Sequence, residues 1–160
     1  MRKLTVRYFI EGEGRIDLQL RLIAGEAGLD KEIKYGEINR PGLALAGFFD
    51  YFAYDRIQIF GQGETAFMNQ LSYEQKMKTY GDFFSYDLLC CIFTHEYVPD
   101  KLFLEFAEKK NVPIFLSKRG TTRFITLFVH VIDEIFAEQV TLHATLVDVF
   151  GVGVLLTGKS

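Results

Sequence analysis

No stretch of this sequence approaches the ~18 consecutive apolar residues that a membrane-spanning helix needs, so none reads as a transmembrane segment. The opening MRKLTVRYFIEGEG has an apolar stretch too short and too broken by charge for a secretory signal, and a cytoplasmic location is expected. Basic clusters are missing too: 18 Lys and Arg against 21 Asp and Glu are scattered along the chain. With a formal net charge of −3, this argues against a dedicated nucleic-acid face. Cysteine is scarce, and its two copies, Cys90 and Cys91, are neighbours in an apolar run. Consecutive strand side chains point to opposite faces and a bridge between them would be badly strained, so both are expected as buried thiols in a reducing compartment. Internal repeats and low-complexity segments are also absent. What remains is a chain of 160 residues, 49% hydrophobic and 24% charged, enough for one domain with a real core, or for one domain plus the start of a second.

Periodicity places the elements. Leu4 to Ile10 fits helix or strand and is taken as a short helix. Leu18, Leu20 and Leu22 alternate with Gln19 and Arg21 as in a strand, AGEAGLD supplies a turn, and Lys31 to Tyr35 suits a second strand. In NRPGLALAGFFDYF, Pro41 suits the first position of a helix, with Leu43, Leu45 and Phe48 on its inner side. RIQIFG reads as a buried strand. Two helices are expected near residues 64–71 and 73–80, the second opened by a capping box of Ser72 and Gln75 and ended by Gly81. LLCCIFT has the length and unbroken apolarity of a central parallel strand covered on both faces.

Pro99 and Asp100 begin a helix with Leu102, Phe103, Phe106 and Ala107 on one face, and Lys109 and Lys110 suit its C-terminal dipole. PIFLS is another buried strand, and Thr121 or Thr122 caps a longer helix running to Phe136. Strands alternating with helices predict an α/β domain with a mostly parallel sheet flanked by helices. Beyond Ala137 the helical period ends, and VTLHATLVDVFGVGVLLTG reads as a linker and a C-terminal β-hairpin. The expected division is residues 1–137 as an N-terminal domain and 138–160 as a linker and the incomplete start of a second.

The last eight residues, GVLLTGKS, match GxxxxGK[ST] letter for letter. A phosphate loop beginning at Gly153 would have Val-Leu-Leu-Thr as its interior, residues that favour an extended strand over a turn of converging amides. A loop beginning at Gly158 makes VGVLLT the preceding strand, and Gly158, Lys159 and Ser160 only its first three positions. Taken alone, the segment is read as a strand with a polar exit.

The segment TLHATLVDVFGVGVLLTGKS resembles the opening of the catalytic domain of the HPr kinase/phosphorylases, with His143 and Gly158 at that family's spacing. AGEAGLD, INRPGLALAGFFDYFAYDRIQIFGQGE and FSYDLLCCIFT resemble the same family's N-terminal domain, in the family's order. The resemblance implies a parent enzyme of about twice this length, which uses ATP and Mg²⁺ to phosphorylate a serine of the phosphocarrier HPr and removes that phosphate by phosphorolysis. It also implies a hexamer assembled through the catalytic domains, while composition and charge lead to the expectation of no nucleic-acid or membrane partner. His143 matches the family's active-site histidine, and Gly158, Lys159 and Ser160 match the first three positions of its GxSGxGKS loop. The phosphate-binding lysine, the Mg²⁺ ligands and the general base are then expected beyond Ser160. No kinase activity, bound cofactor or metal is expected of this chain itself. The family's N-terminal domain is similar in fold to the first domain of the Mur ligases.

Within the N-terminal domain, Asn39, Arg40, Pro41 and Gly42 put a cation and flexible backbone at a strand exit before a helix, where open α/β sheets bind anions. The bland alternative is a tight loop with Arg40 in a salt bridge. His95 and His130 have no companions at metal-ligand spacing, and Asp133 and Glu134 read as an exposed helix turn. Phe48, Phe49, Tyr51, Phe52 and Tyr54 are too many for one inward face and suit a core with a contact surface. Two other functions therefore stand beside the kinase reading: a stand-alone sensor of an anionic metabolite through Arg40, or a purely structural interaction domain.

Overall fold

A computed structural model describes residues 3–13, 15–137, 144–149 and 151–157. Its centre is a sheet of β1 (Leu20–Ala24), β2 (Ile38–Asn39), β3 (Ile57–Phe60), β4 (Cys90–Phe93) and β5 (Ile114–Ser117), ordered β1-β5-β4-β3-β2. Strands β2 to β5 run parallel and β1 joins β5 antiparallel. The run LLCCIFT supplies β4, the middle strand. Parallel neighbours need crossovers. These are α3 (Gly42–Leu45) before β3, α4 (Gln62–Gln70) and α5 (Tyr73–Phe83) before β4, and α6 (Lys101–Lys110) before β5. The short α1 (Tyr8–Glu11) and α2 (Arg15–Leu18) precede β1, and α7 (Thr121–Phe136) follows β5.

Strand alternation divides the interior into two cores. Phe60, Cys91, Phe93 and Leu116 face one way, against α3 to α6. Ile57, Ile59, Cys90, Ile92 and Phe115 face the other, against α1 and Phe124, Phe128 and Ile132 of α7. The two thiols are thus on opposite sides of β4, both fully buried and unbridged. The first core is aromatic: Phe60 stacks on Phe93 at 4.3 Å, and Phe103 meets both rings edge-on. Such pairs add about 0.5–1.5 kcal/mol each beyond their area. One polar side chain, Gln58, is fully buried in β3. It donates to the carbonyls of Ala53 (2.8 Å) and Arg56 (3.0 Å) and accepts from Asn39 (2.7 Å), which offsets its desolvation and ties down the β2 edge.

Several local expectations are corrected. Lys31 to Tyr35 forms no strand: only Glu32 bridges, to Thr5, because that segment serves as a partner for the N-terminal chain and not for the sheet. The opening helix begins at Tyr8, after that bridge. In α3 the inward residues are Ala44 and Leu45, while Leu43 is 70% exposed and Phe48 lies on the surface, since the helix is a single turn. Pro41 precedes this turn as its N-cap. Gly81 does not stop α5, which continues to Phe83 because Tyr80 and Phe83 both bury on its inner side. The Ser72–Gln75 capping box is present. Gly120 is the N-cap of α7 in place of a threonine.

Two further strands, β6 (Ala144–Val149) and β7 (Val152–Thr157), pair antiparallel in a sheet of their own. Gly151 between them has φ +80°, a conformation glycine adopts without penalty. Along β7, Val152, Val154 and Leu156 alternate and are exposed. No helix among the described residues is long and apolar enough to cross a membrane.

Candidate functional site

The carboxyl ends of the parallel strands, where α/β sheets usually hold ligands, bring together the segments after β2, β3, β4 and β5. Asn39 to Gly42 leave β2 here. Arg40 is not a free cation: its Nε donates to Glu64 Oε1 at 2.9 Å and its Nη2 to Oε2 at 2.7 Å. Glu64, in the first turn of α4, also accepts from the Gly61 amide at 2.9 Å. Burial pushes this carboxyl up, but the bonds from Arg40 and from the Glu64 and Gly61 amides outweigh it and hold its pKa below the ordinary value. The pair is therefore ionised and mutually neutralising. A Cβ on Gly61 would lie 2.7 Å from Arg40 Nη2 and 2.8 Å from Thr121 Oγ1, so only glycine lets the three segments meet. Asn39 is engaged with Gln58, and Gly42 faces open space.

A second network joins β3, β4 and α7. Thr94 donates to the Phe60 carbonyl at 3.1 Å and lies 2.7 Å from the Thr121 hydroxyl, which must then be the donor between them. The Thr121 amide, in the first turn of α7, donates to His95 Nε2 at 3.3 Å, which puts the proton of the neutral ring on Nδ1. His95 and Glu96 both have φ +57°, held there by bonds from their amides to the carbonyls of Arg119 and Ser117, each 2.8 Å. Ser117 donates to the Leu18 carbonyl and Arg119 Nε to the Asp17 carbonyl, which fasten the start of β1 to the end of β5. His95 stacks on Tyr97, and His130 is exposed on α7. Among the described residues, no group of three or more His, Cys, Asp or Glu side chains could hold a metal ion.

Asp100 forms a third node. It accepts from the Phe103 amide as N-cap of α6, from the Tyr80 hydroxyl at 2.6 Å and from Lys76 at 3.2 Å. Burial raises this carboxyl, but the Tyr80, Phe103 and Lys76 bonds together bring it below its ordinary value. Burial and the same carboxylate push the Tyr80 hydroxyl up. The node locks α5 to α6 and is structural.

His143, Gly158, Lys159 and Ser160 lie outside the described residues. Neither Glu64 nor Thr94 stands out in the sequence as a site residue, and Thr121 does so only as a helix cap. Glu64 carried a signal, an acid three residues after a strand-ending glycine, as in a capping box. The threonines carried none, because their pairing depends on two strands lying side by side.

The family model for the HPr Serine kinase N terminus matches residues 4–132. The HPr kinase/phosphorylase of Leptospira biflexa serovar Patoc is 49% identical over 144 residues, which cover 90% of this chain and 45% of that protein. That of Treponema pallidum is 42% identical over 146 residues, covering 91% and 46%. That of Caldanaerobacter subterraneus subsp. tengcongensis is 38% identical over 160 residues, covering 100% and 51%. The chain thus spans about half the length of the curated relatives it matches. Among solved structures, the CBS and DRTGG domains of the regulatory region of Clostridium perfringens pyrophosphatase align with a TM-score of 0.52 at 13% identity, over 79% of this chain and 49% of that one, a likeness of fold alone. Fold, block order and family model agree: the chain belongs to the HPr kinase/phosphorylase family, through its N-terminal domain.

Proposed function

We propose that this chain is the N-terminal regulatory or structural domain, with the first strands of the catalytic domain, of a bifunctional enzyme that phosphorylates and dephosphorylates a serine of HPr. The observation that carries this is the 49% identity over 144 residues to a protein named HPr kinase/phosphorylase, of which those residues are 45%. On this reading the boundary falls near residue 137, and β6 and β7 open the catalytic domain. ATP and Mg²⁺ act in the parent's other half. Phosphoryl transfer needs a lysine and a metal ion to hold the developing charge. His143, Gly158, Lys159 and Ser160 would contribute to a site completed by residues after Ser160. The parent is read as a cytoplasmic hexamer.

The test is incubation of the purified 160-residue chain with HPr, ATP and Mg²⁺, with phosphoserine detected by mass spectrometry, beside the same chain extended to the relatives' length. Phosphorylation is expected from the extended protein only. Phosphorylation by the 160-residue chain, or none by the extended one, refutes the reading. The alternative of an anion sensor acting through Arg40 is weakened, because Glu64 already neutralises that cation.

A further inference from the structure

The sheet's carboxyl end has a second opening, lined by neither Arg40 nor Glu64. It is a crevice of about 360 Å³ between the start of β1 and the end of β5, lined by Gln19, Leu20, Arg21, Glu96, Leu116 and Lys118. We propose that it binds a small, multiply charged oxyanion, a phosphate monoester or a dicarboxylate, through Lys118 and Arg21. The proposal stands apart from the kinase reading and does not depend on it.

Topology is the first argument. Helix α6 leaves β4 over the aromatic core, whereas α7 leaves β5 over the other. The connections after these adjacent parallel strands thus go to opposite faces, and the short segments that begin them, with the start of β1, frame the crevice. Open α/β sheets hold ligands outside the carboxyl ends of their strands, the end at which this crevice lies.

Charge is the second. Lys118 is exposed and belongs to none of the ion pairs among the described residues. Among the described residues Arg21 is ion-paired with Glu96 alone, at 3.7 Å, with side chains 61% and 45% exposed. So loose and hydrated a pair holds weakly, and a doubly charged ligand can draw the guanidinium away. Two cations against one carboxylate make the crevice locally positive on a chain of net charge −3. At Arg40 the opposite holds, since its partner is buried and doubly bonded.

The walls are also fixed before any ligand arrives. The amide of Glu96 is bound to Ser117, the hydroxyl of Ser117 to Leu18, and Arg119 to the Asp17 carbonyl, so the segments bearing Glu96, Lys118 and Gln19 cannot drift apart. Leu116, 1% exposed, forms an apolar floor suited to a short carbon skeleton.

The experiment is a titration of the ¹⁵N-labelled 160-residue chain with glycerol 3-phosphate and, separately, malonate, at ionic strength held constant with NaCl. Saturable amide shifts confined to residues 19–21, 95–97 and 116–119 are expected for at least one probe, the tighter one showing whether the ligand is phosphoryl or carboxylate in nature. Lys118→Ala with Arg21→Ala, two exposed changes whose fold is checked by thermal melting, should weaken binding at least tenfold. Lys101→Ala, an exposed cation outside the crevice, should leave it unchanged. Shifts that rise linearly for both probes, survive the double substitution, or weaken equally with Lys101→Ala overturn the proposal.

Discussion

Arg40 and Glu64 face each other through two parallel hydrogen bonds, Nε to Oε1 at 2.9 Å and Nη2 to Oε2 at 2.7 Å, linking the loop after β2 to the first turn of α4. The carboxylate side chain is only 8% exposed and the guanidinium 43%. Removing Arg40 leaves a buried charge without its partner, whereas removing both leaves only a small void.

Arg40→Ala should therefore cost about 1–3 kcal/mol in urea unfolding, the lower part of that range reflecting the half-exposed arginine. Glu64→Gln in the Arg40→Ala background should recover part of the loss, because the neutral amide is cheaper to bury. A double-mutant cycle with no coupling would show that the pair does not act as a unit.

Besides the exposed Asp30, which Arg7 holds low, two partly buried carboxyls have depressed values and contribute to the acid limb of stability. Glu64 and Asp100 have folded-state pKa values below the ordinary 4.5 and 3.8. Their contribution is fully present above those ordinary values and is lost as pH falls through the depressed ones. Thermal melts should thus be flat in this respect from neutral pH to about 5 and fall steeply below about 4.5. Glu64→Gln and Asp100→Asn should each shallow that fall while lowering stability at neutral pH. An unchanged slope in both variants would place the acid-sensitive groups elsewhere.

Cys90 and Cys91 should be silent to thiol reagents in the native protein. Burial pushes both thiols well above their ordinary value, and the nearby Lys31 opposes this only in part. Labelling with a thiol-specific chromogenic reagent at pH 8 should proceed at the rate of unfolding and accelerate with urea, both thiols together. Fast labelling without denaturant would mean that β4 opens locally.

How much was legible follows from which interactions are local. The unbroken apolarity of LLCCIFT placed β4 at the centre, and the Ser72–Gln75 box marked the start of α5, since neither depends on a distant partner. Lys31 to Tyr35 has a strand's composition, but its partner is the N-terminal chain at Thr5, a pairing no local pattern encodes. Gly120 and not a threonine caps α7 for the same reason: Thr121 gives its hydroxyl to Thr94 and its amide to His95, both just after β4. Arg40 was visible as a cation at a strand exit. Whether it was free or neutralised rested on Glu64, 24 residues away in sequence.

Lys3, Leu4 and Tyr8 near the start of the chain and Ile135 near the end of α7 line the same cavity, and Gly36, just ahead of β2, packs on Ile132. The start of the chain and the end of α7 are thus neighbours, away from the carboxyl ends of the parallel strands. A short peptide could therefore join the start of the chain to the end of α7 on the side of the sheet away from Arg21, Arg40 and Lys118.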